Sequence, residues 1–446
     1  MKKNTVALKV LPLVAAFALV GCGNKDKDEK ASEKVSFNYE PDYSFVTGDL
    51  SGKTLKVGAI LIGDQTEGYS EAHIKGIEKA KEVLEAKGAS VNVSWEYKVS
   101  EDAPTVKAKV ESLVGANNNI IITNSYNHQD AFKEGQFDVS SKPEIDFISM
   151  TGDTACLQKK ANFHNAFNAT YQSRYASGYV AGLKLKELVD GNKLKDENKD
   201  ANGNIKLGYV GAFPFAEVVS GYTGFYLGIK SVVSNVVMSV KYTSSWWDHD
   251  AEKQAASDLI NQGAVIVSEH ADSTGAPEAC EAAFKQGKVV YNVGYNVSMI
   301  DAAPSCSLTS ATNDWSVYYT TAFYNKLMGQ PIPQDWAAGY EKGAVALTKI
   351  NYGCFDAKQD DVDSKVKAVV DKLHDGSLKV FDCSKFTVGG QNISEYTITD
   401  DWSTVKGTQC IKTAGSVKYF DESNTEVRSA PYFDIRIDGI TELNNN

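Results

Sequence analysis

The residues best suited to chemistry in this chain of 446 stand at the ends of strand-like runs. In the first half these are "GDQTEGYSEAH" (63–73), "NSYNH" (124–128) and "TGD" (151–153). In the second they are "AFPFAE" (212–217), "SSWWDHD" (244–250), "EHADSTG" (269–275) and "GYNVS" (294–298). The set is rich in aromatic rings, Asn, Asp and His. Flat apolar walls with many directional hydrogen-bond partners suit a base or nucleoside better than an inorganic ion or a hydrophobic ligand. Adjacent side chains on an extended run point to opposite sides, so Trp247 is expected to pack as core behind Trp246.

The same loops contain no G-x-S-x-G elbow, P-loop or H-E-x-x-H pattern. Asp64, Asp153, Asp248 and Asp272 could still converge across a cleft, which keeps a nucleoside-cleaving hydrolase as the less favoured alternative to pure binding. The six histidines are scattered and no cysteines have C-x-x-C spacing, so neither a metal nor a cofactor is expected. At 198–203 an N-x-D-x-N-G stretch has Tyr209 where a calcium loop needs Glu, and reads as a solvated loop.

Those loops need elements to hold them. "TLKVGAILIG" reads as a buried strand, and "SEAHIKGIEKAKEVLEAKG" repeats apolar residues at helical spacing before a Gly stop. A strand "SVNVSWEYKV", a helix "PTVKAKVESLVGAN", a strand "NIIITNS", a helix around "QDAFKEGQFDVSS" and a strand "EIDFISMTGD" follow. This alternation predicts a parallel α/β lobe. The series then recurs: "KLGYVGAF" parallels "KVGAILIG", "SDLINQGAVIVSEH" parallels "ESLVGANNNIIITNS", and "KVVYNVGYN" parallels "EIDFISMTGD". Two similar lobes are therefore expected, with a ligand cleft outside the carboxyl ends of the strands and a hinge between them.

Composition narrows the functional classes. With 46 basic and 57 acidic residues the formal charge is −11, which argues against neutralising phosphates along nucleic acid. "MKK", the apolar run "VALKVLPLVAAFALV" and "LVGC" form an expected signal peptide over 1–22, with Cys22 as a lipidation site. The small, charged stretch that follows predicts a tether over 23–53. The expected lobes occupy 54–180 with 320–350 and 181–319, and 351–446 is expected to return elements to them and to carry a β-rich appendage held by Cys383 and Cys410. The even count of six cysteines beyond Cys22 permits three disulfides.

Five segments carry a family resemblance: "VGAILIGDQTEGYSEAHIKGI", "YQSRYASGYVAGL", "IKLGYVGAFPFAEVVSGYTGFYLGIKSV", "TSSWWDHDAEKQAASDLINQGAVIVSEHADS" and "APSCSLTSATNDWSVYY". In that order they resemble the basic membrane protein family of bacterial substrate-binding lipoproteins. The resemblance implies a type I periplasmic-binding-protein fold, a lipid anchor facing the periplasm or cell exterior, and capture of a purine nucleoside or nucleobase for an ABC permease by a monomer. It sets Trp246 against one purine face and Tyr69 or His73 against the other. Asp64, Asn124 and Asp153 are implied contacts in the first lobe, and His270, Asp272 and the turn of Gly294 and Tyr295 in the second. Nucleoside receptors of the family tend to carry Asp after that last strand, where this chain has Tyr295 and Asn296, so nucleoside and free base both remain open. A tethered sensor or surface antigen with the same fold is the further alternative.

Overall fold

The computed structural model describes residues 37–398 and 405–444. The expected signal segment, Cys22 and the first part of the expected tether lie outside the described residues.

Short β-branched runs form the centres of two mainly parallel sheets. In the first lobe β1 (Thr54–Ile60), β2 (Ser90–Glu96), β3 (Ile120–Thr123), β4 (Asp146–Met150) and β5 (Phe163–Ala166) alternate with α1 (Gly68–Glu85), α2 (Ala103–Gly115) and the single turn α3 (Ala155–Gln158). All four residues of β3, "IIIT", are buried, as a central strand covered on both faces must be. The chain then crosses into α4 (Thr170–Asp190). It continues through β6 (Ile205–Gly211), α5 (Ala216–Lys230), β7 (Val236–Tyr242), α6 (His249–Asn261), β8 (Ile266–His270), α7 (Gly275–Lys285), β9 (Tyr291–Tyr295) and β10 (Ser307–Asn313).

A second crossing returns to the first lobe, where α8 (Ser316–Met328) packs on α1 and β11 (Asp335–Trp336) adds in parallel to β5. A third leads back to β12 (Val345–Leu347), antiparallel to β10, and to α9 (Gln359–His374) against α4. A hairpin of β13 (Ile411–Ala414) and β14 (Val417–Phe420) follows, and β15 (Ile440–Glu442) adds in parallel to β7. The sheet orders are β11-β5-β4-β3-β1-β2 and β12-β10-β9-β8-β6-β7-β15. Both contain the same doubly wound order, with the first strand of each lobe between its second and third, so the switch points fall at β1/β3 and β6/β8.

The three crossings run side by side and bond to one another. Phe167 N donates to Trp336 O at 3.0 Å and Ala169 N to Ala338 O at 2.7 Å. Asn168 Nδ2 reaches Ala344 O at 2.9 Å, and Thr170 Oγ1 reaches Asn313 Oδ1 at 3.1 Å. In the second lobe α4 and α5 approach backbone to backbone. A Cβ on Gly178 would lie 2.1 Å from Phe225 O, and one on Gly228 would lie 2.1 Å from Tyr175 O.

Several expectations change. Residues 37–53 are no tether: Phe37 is buried in the second lobe, Asn38 Nδ2 donates to Leu347 O at 2.7 Å, and Val46 and Leu50 are buried in the first lobe. The strap thus touches both lobes, because its scattered apolar residues find cores that a tether would not. Helix α4 packs on the second sheet throughout, so the lobe boundary falls before Thr170 instead of at 180, and Val345–Leu347 belongs to the second sheet instead of the first. The segment "QDAFKEGQFDVSS" forms two short 3-10 turns, Tyr126–Phe132 and Val139–Ser141, and no α-helix.

The C-terminal region is no disulfide-held appendage. Cys280, Cys306, Cys354, Cys383 and Cys410 are thiols, and Phe381, Phe386, Phe420 and Phe433 carry the last region into the core of the second lobe. Burial of large rings supplies there what a covalent link was expected to supply.

Gly228→Ala is expected to lower stability by about 1–3 kcal/mol or more, because the new methyl group meets a backbone carbonyl that cannot rotate away. Denaturant unfolding of the variant beside the parent measures this, and an unchanged midpoint would show that the helices can separate at little cost.

Candidate ligand-binding cleft

A cavity of about 630 Å³ lies between the lobes at the carboxyl ends of the strands. From the first lobe it is lined by the turn after β1 (Ile62, Gly63, Asp64, Thr66, Glu67, Tyr69), by Lys98 and Glu101 after β2, by Ser125 and Tyr126 after β3, and by Thr151 after β4. From the second come Phe213 and Glu217 after β6, Ser244 to Trp247 after β7, His270 and Asp272 at β8, and Tyr295 at the end of β9. Lys98, Thr151, Ser244 and Asn296 adopt φ of 54°, 59°, 60° and 59°, each within two residues of a strand that ends at the cleft. Left-handed backbone at non-glycine residues costs on the order of 1–3 kcal/mol, and its clustering here marks a shape held by the surrounding fold.

The second-lobe wall is aromatic. Phe213 and Phe215 stack at 5.1 Å, and Trp246 meets the edge of Phe213 at 5.2 Å and 62°. His270 lies 4.8 Å from Tyr295 between ring centroids, and the guanidinium of the buried Arg174 sits 3.7 Å beneath Tyr295. Across the cleft Tyr126 approaches Phe215 at 5.9 Å, while the Tyr69 hydroxyl donates to Asn124 O and lies 3.2 Å from Thr151 Oγ1. Both tryptophans line the cavity, and Trp247, 56% exposed, does not pack behind Trp246. The reason is that "SSWWDHD" is a loop and not an extended run. Asp248 ends it by capping α6, accepting from Ala251 N at 2.9 Å, while Asp248 N donates to Glu252 Oε1 at 3.0 Å.

Six of the nine anticipated contacts line the cavity: Asp64, Tyr69, Trp246, His270, Asp272 and Tyr295. Three do not. His73 is fully buried one turn beyond Tyr69, stacked on Trp315 at 4.6 Å and 14° with Nδ1 2.7 Å from Tyr319 Oη; burial lowers its pKa to about 3. Asn124 is a brace, accepting from Ile62 N at 2.8 Å and donating to Ser70 Oγ at 3.2 Å, which ties β3 to the turn after β1. Asp153 turns away from the cavity, accepting from Tyr126 Oη at 3.1 Å, Gln129 Nε2 at 3.1 Å and Arg428 Nη1 at 3.3 Å. Glu67, Tyr126, Phe213 and Glu217 carry no signal in the sequence beyond their place in segments that follow strands.

Acidic side chains dominate the polar lining. Lys98 at 2.7 Å, then Thr66, hold Asp64 well below the usual carboxylate range, so it is a fixed anion. Glu217 is pushed up to about 8 by burial, whereas burial and then Arg174 hold His270 well below its ordinary value. The proton between Glu217 Oε1 and His270 Nε2, 3.2 Å apart, therefore belongs to Glu217. Asp272, accepting from Asn296 Nδ2 at 2.8 Å, is raised by burial and then by Glu67 from the facing lobe. The cleft thus offers an anion at Asp64, a carboxyl group at Glu217 able to donate as well as accept, and rings on both sides. No group of acidic, His or Cys side chains among the described residues is arranged to hold a metal ion.

Comparison with known proteins supplies the family. Residues 56–375 match the family described as PnrA-like ABC transporter substrate-binding proteins, Bmp. The chain belongs to that family. Among curated relatives, a purine-binding protein of Brucella abortus is 28% identical over 349 residues, covering 77% of this chain and 90% of its own. A putative ABC transporter glucose-binding protein of Haloferax volcanii is 23% identical over 341 residues, covering 76% and 77%. An ABC transporter solute-binding protein from Aeropyrum pernix superposes with a TM-score of 0.57 at 14% identity, covering 76% of this chain and 94% of that one. The architecture is accordingly that of the type I periplasmic binding proteins, in agreement with the doubly wound order of both sheets.

Between about pH 4.5 and about 8 the folded chain keeps the Glu217 proton that the unfolded chain has released, so rising pH through this window lowers stability. About a fifth of the side chain still meets the cavity, which reduces the effect. Glu217→Gln is expected to flatten the fall in melting temperature of the ligand-free protein across that range. Parallel melting curves for parent and variant would exclude a protonated Glu217.

Proposed function

We propose that this Bmp-family substrate-binding protein captures a purine nucleobase or nucleoside between its lobes and presents it to an ABC permease. The observation that carries the reading is the pairing of an aromatic wall in one lobe, Phe213 and Trp246, with Tyr69 and Tyr126 in the other, around carboxyl groups in both protonation states. A purine has two flat faces and an edge that alternates N–H donors with ring-nitrogen acceptors. An ionised Asp64 takes only the donors, whereas a protonated Glu217 also serves an acceptor. A relative named as a purine-binding protein points the same way.

In this reading the ligand docks on one lobe and meets the other when the hinge closes, and the closed form is what the permease engages. Membrane attachment is assigned to a lipid on Cys22. No helix among the described residues is long and apolar enough to cross a membrane.

Calorimetry of the ligand-free protein against adenine, adenosine, guanosine, inosine and glucose tests the substrate class. Micromolar or tighter binding of a purine supports the proposal, and the base-to-nucleoside comparison shows whether ribose is recognised. Binding of glucose alone would overturn it. Trp246→Ala is expected to weaken purine binding by about 1–3 kcal/mol, the usual worth of a stacking ring. An unchanged affinity would remove Trp246 from the site.

A further inference from the structure

The family match ends at residue 375, so the chain beyond it is additional to the matched region. Most of this tail is rooted in the second lobe. Strand β15 extends that sheet through the pairs Ile440 with Met238 and Glu442 with Val240, and Phe381 stacks on Phe433 at 4.1 Å within the same core. The turn between Glu422 and Phe433 is held by one buried carboxylate. Glu422 accepts from Ser220 Oγ on α5 at 2.6 Å, from Tyr432 N at 2.6 Å and from Phe433 N at 3.1 Å.

From that base the turn reaches the other lobe. Arg428 fixes its own fork on the tail, donating from Nε to Ala430 O at 3.1 Å and from Nη2 to Pro431 O at 2.6 Å, and extends Nη1 to Asp153 Oδ2 at 3.3 Å. Its neighbour Ser429 donates from N and from Oγ to Asp335 Oδ1 on β11, both at 2.8 Å. The Arg428 and Asp153 side chains are only 7% and 11% exposed, so the pair is shielded from solvent and salt. Asp153 also accepts from the hydroxyl of Tyr126, which lines the ligand cavity.

We propose that the turn 422–433 is an interlobe clamp: Arg428 and Ser429, fixed to the second lobe, hold Asp153 and Asp335 of the first and so keep the lobes together and Tyr126 in the cavity wall. Arg428 is a positioning residue, acting on the cleft through Asp153. A separation of the lobes along this flank has to break these bonds, which parts the shielded Arg428 and Asp153 charges.

The test uses the full chain without ligand, so it is independent of the substrate. Small-angle X-ray scattering is compared for the parent, Arg428→Gln, Asp153→Asn and the double variant, with melting curves to show that each is folded. A clamp predicts a larger radius of gyration for either single variant, no further increase in the double variant, and retention of the compact form by Arg428→Lys. Asp153→Asn separates the clamp from a merely structural tail, since it leaves the bonds of Arg428 to its own tail intact. Parent-like scattering from Asp153→Asn, or expansions that add in the double variant, would overturn the proposal. Should Arg428→Gln not fold, Asp153→Asn and Asp335→Asn give the same reading from the first lobe alone.

Discussion

Everything at the cleft depends on three crossing strands of chain that are bonded side by side. Phe167 to Trp336, Ala169 to Ala338, Asn168 to Ala344 and Thr170 to Asn313 are joined by hydrogen bonds at the only place where the polypeptide passes between the sheets within the family-matched region. With the crossings fixed, the carboxyl ends of both sheets face each other, and the segments at the ends of β1 to β4 and β6 to β9 border one space. The aromatic wall, the acidic lining and the four left-handed residues are consequences of that placement. A binding protein of this design needs no catalytic group, only a surface in each lobe and a hinge that allows them to meet.

Low polarity in the cleft then sets its chemistry. The same burial that raises Glu217 and Asp272 lowers His270, so in each group it favours the neutral form over the charged one. Asp64 escapes because Lys98 and Thr66 stabilise its charge. Arg174 underlies the arrangement from beneath Tyr295, a cation enclosed by the second lobe and set below the rings that line it.

Much of the fold was legible because the signals were local. Apolar strand runs, helical periodicity and the repetition of both in two series follow from side-chain spacing alone, and they located the post-strand loops that line the cavity. Individual side chains were less legible. His73 lies one helical turn beyond Tyr69, yet a shift around the helix axis carries it from the cavity to Trp315. Strand alternation puts Trp247 on the far side of Trp246, but Asp248 starts a helix immediately after them and the alternation does not apply. Asp153 has the right residue type after a strand, and its direction is decided by Arg428, 275 positions away in sequence.

The sequence by itself determined the two-lobed α/β architecture, the cleft at the strand ends and the family, since these rest on periodicity and on ordered segments within one stretch of chain. Tertiary structure alone decided which carboxyls are charged, which aromatics face the ligand space, that residues 37–53 strap the lobes together, and that the last region belongs to the core of the second lobe. These depend on burial and on partners remote in sequence, and neither local pattern nor composition encodes the distance between groups that meet only when the chain has folded.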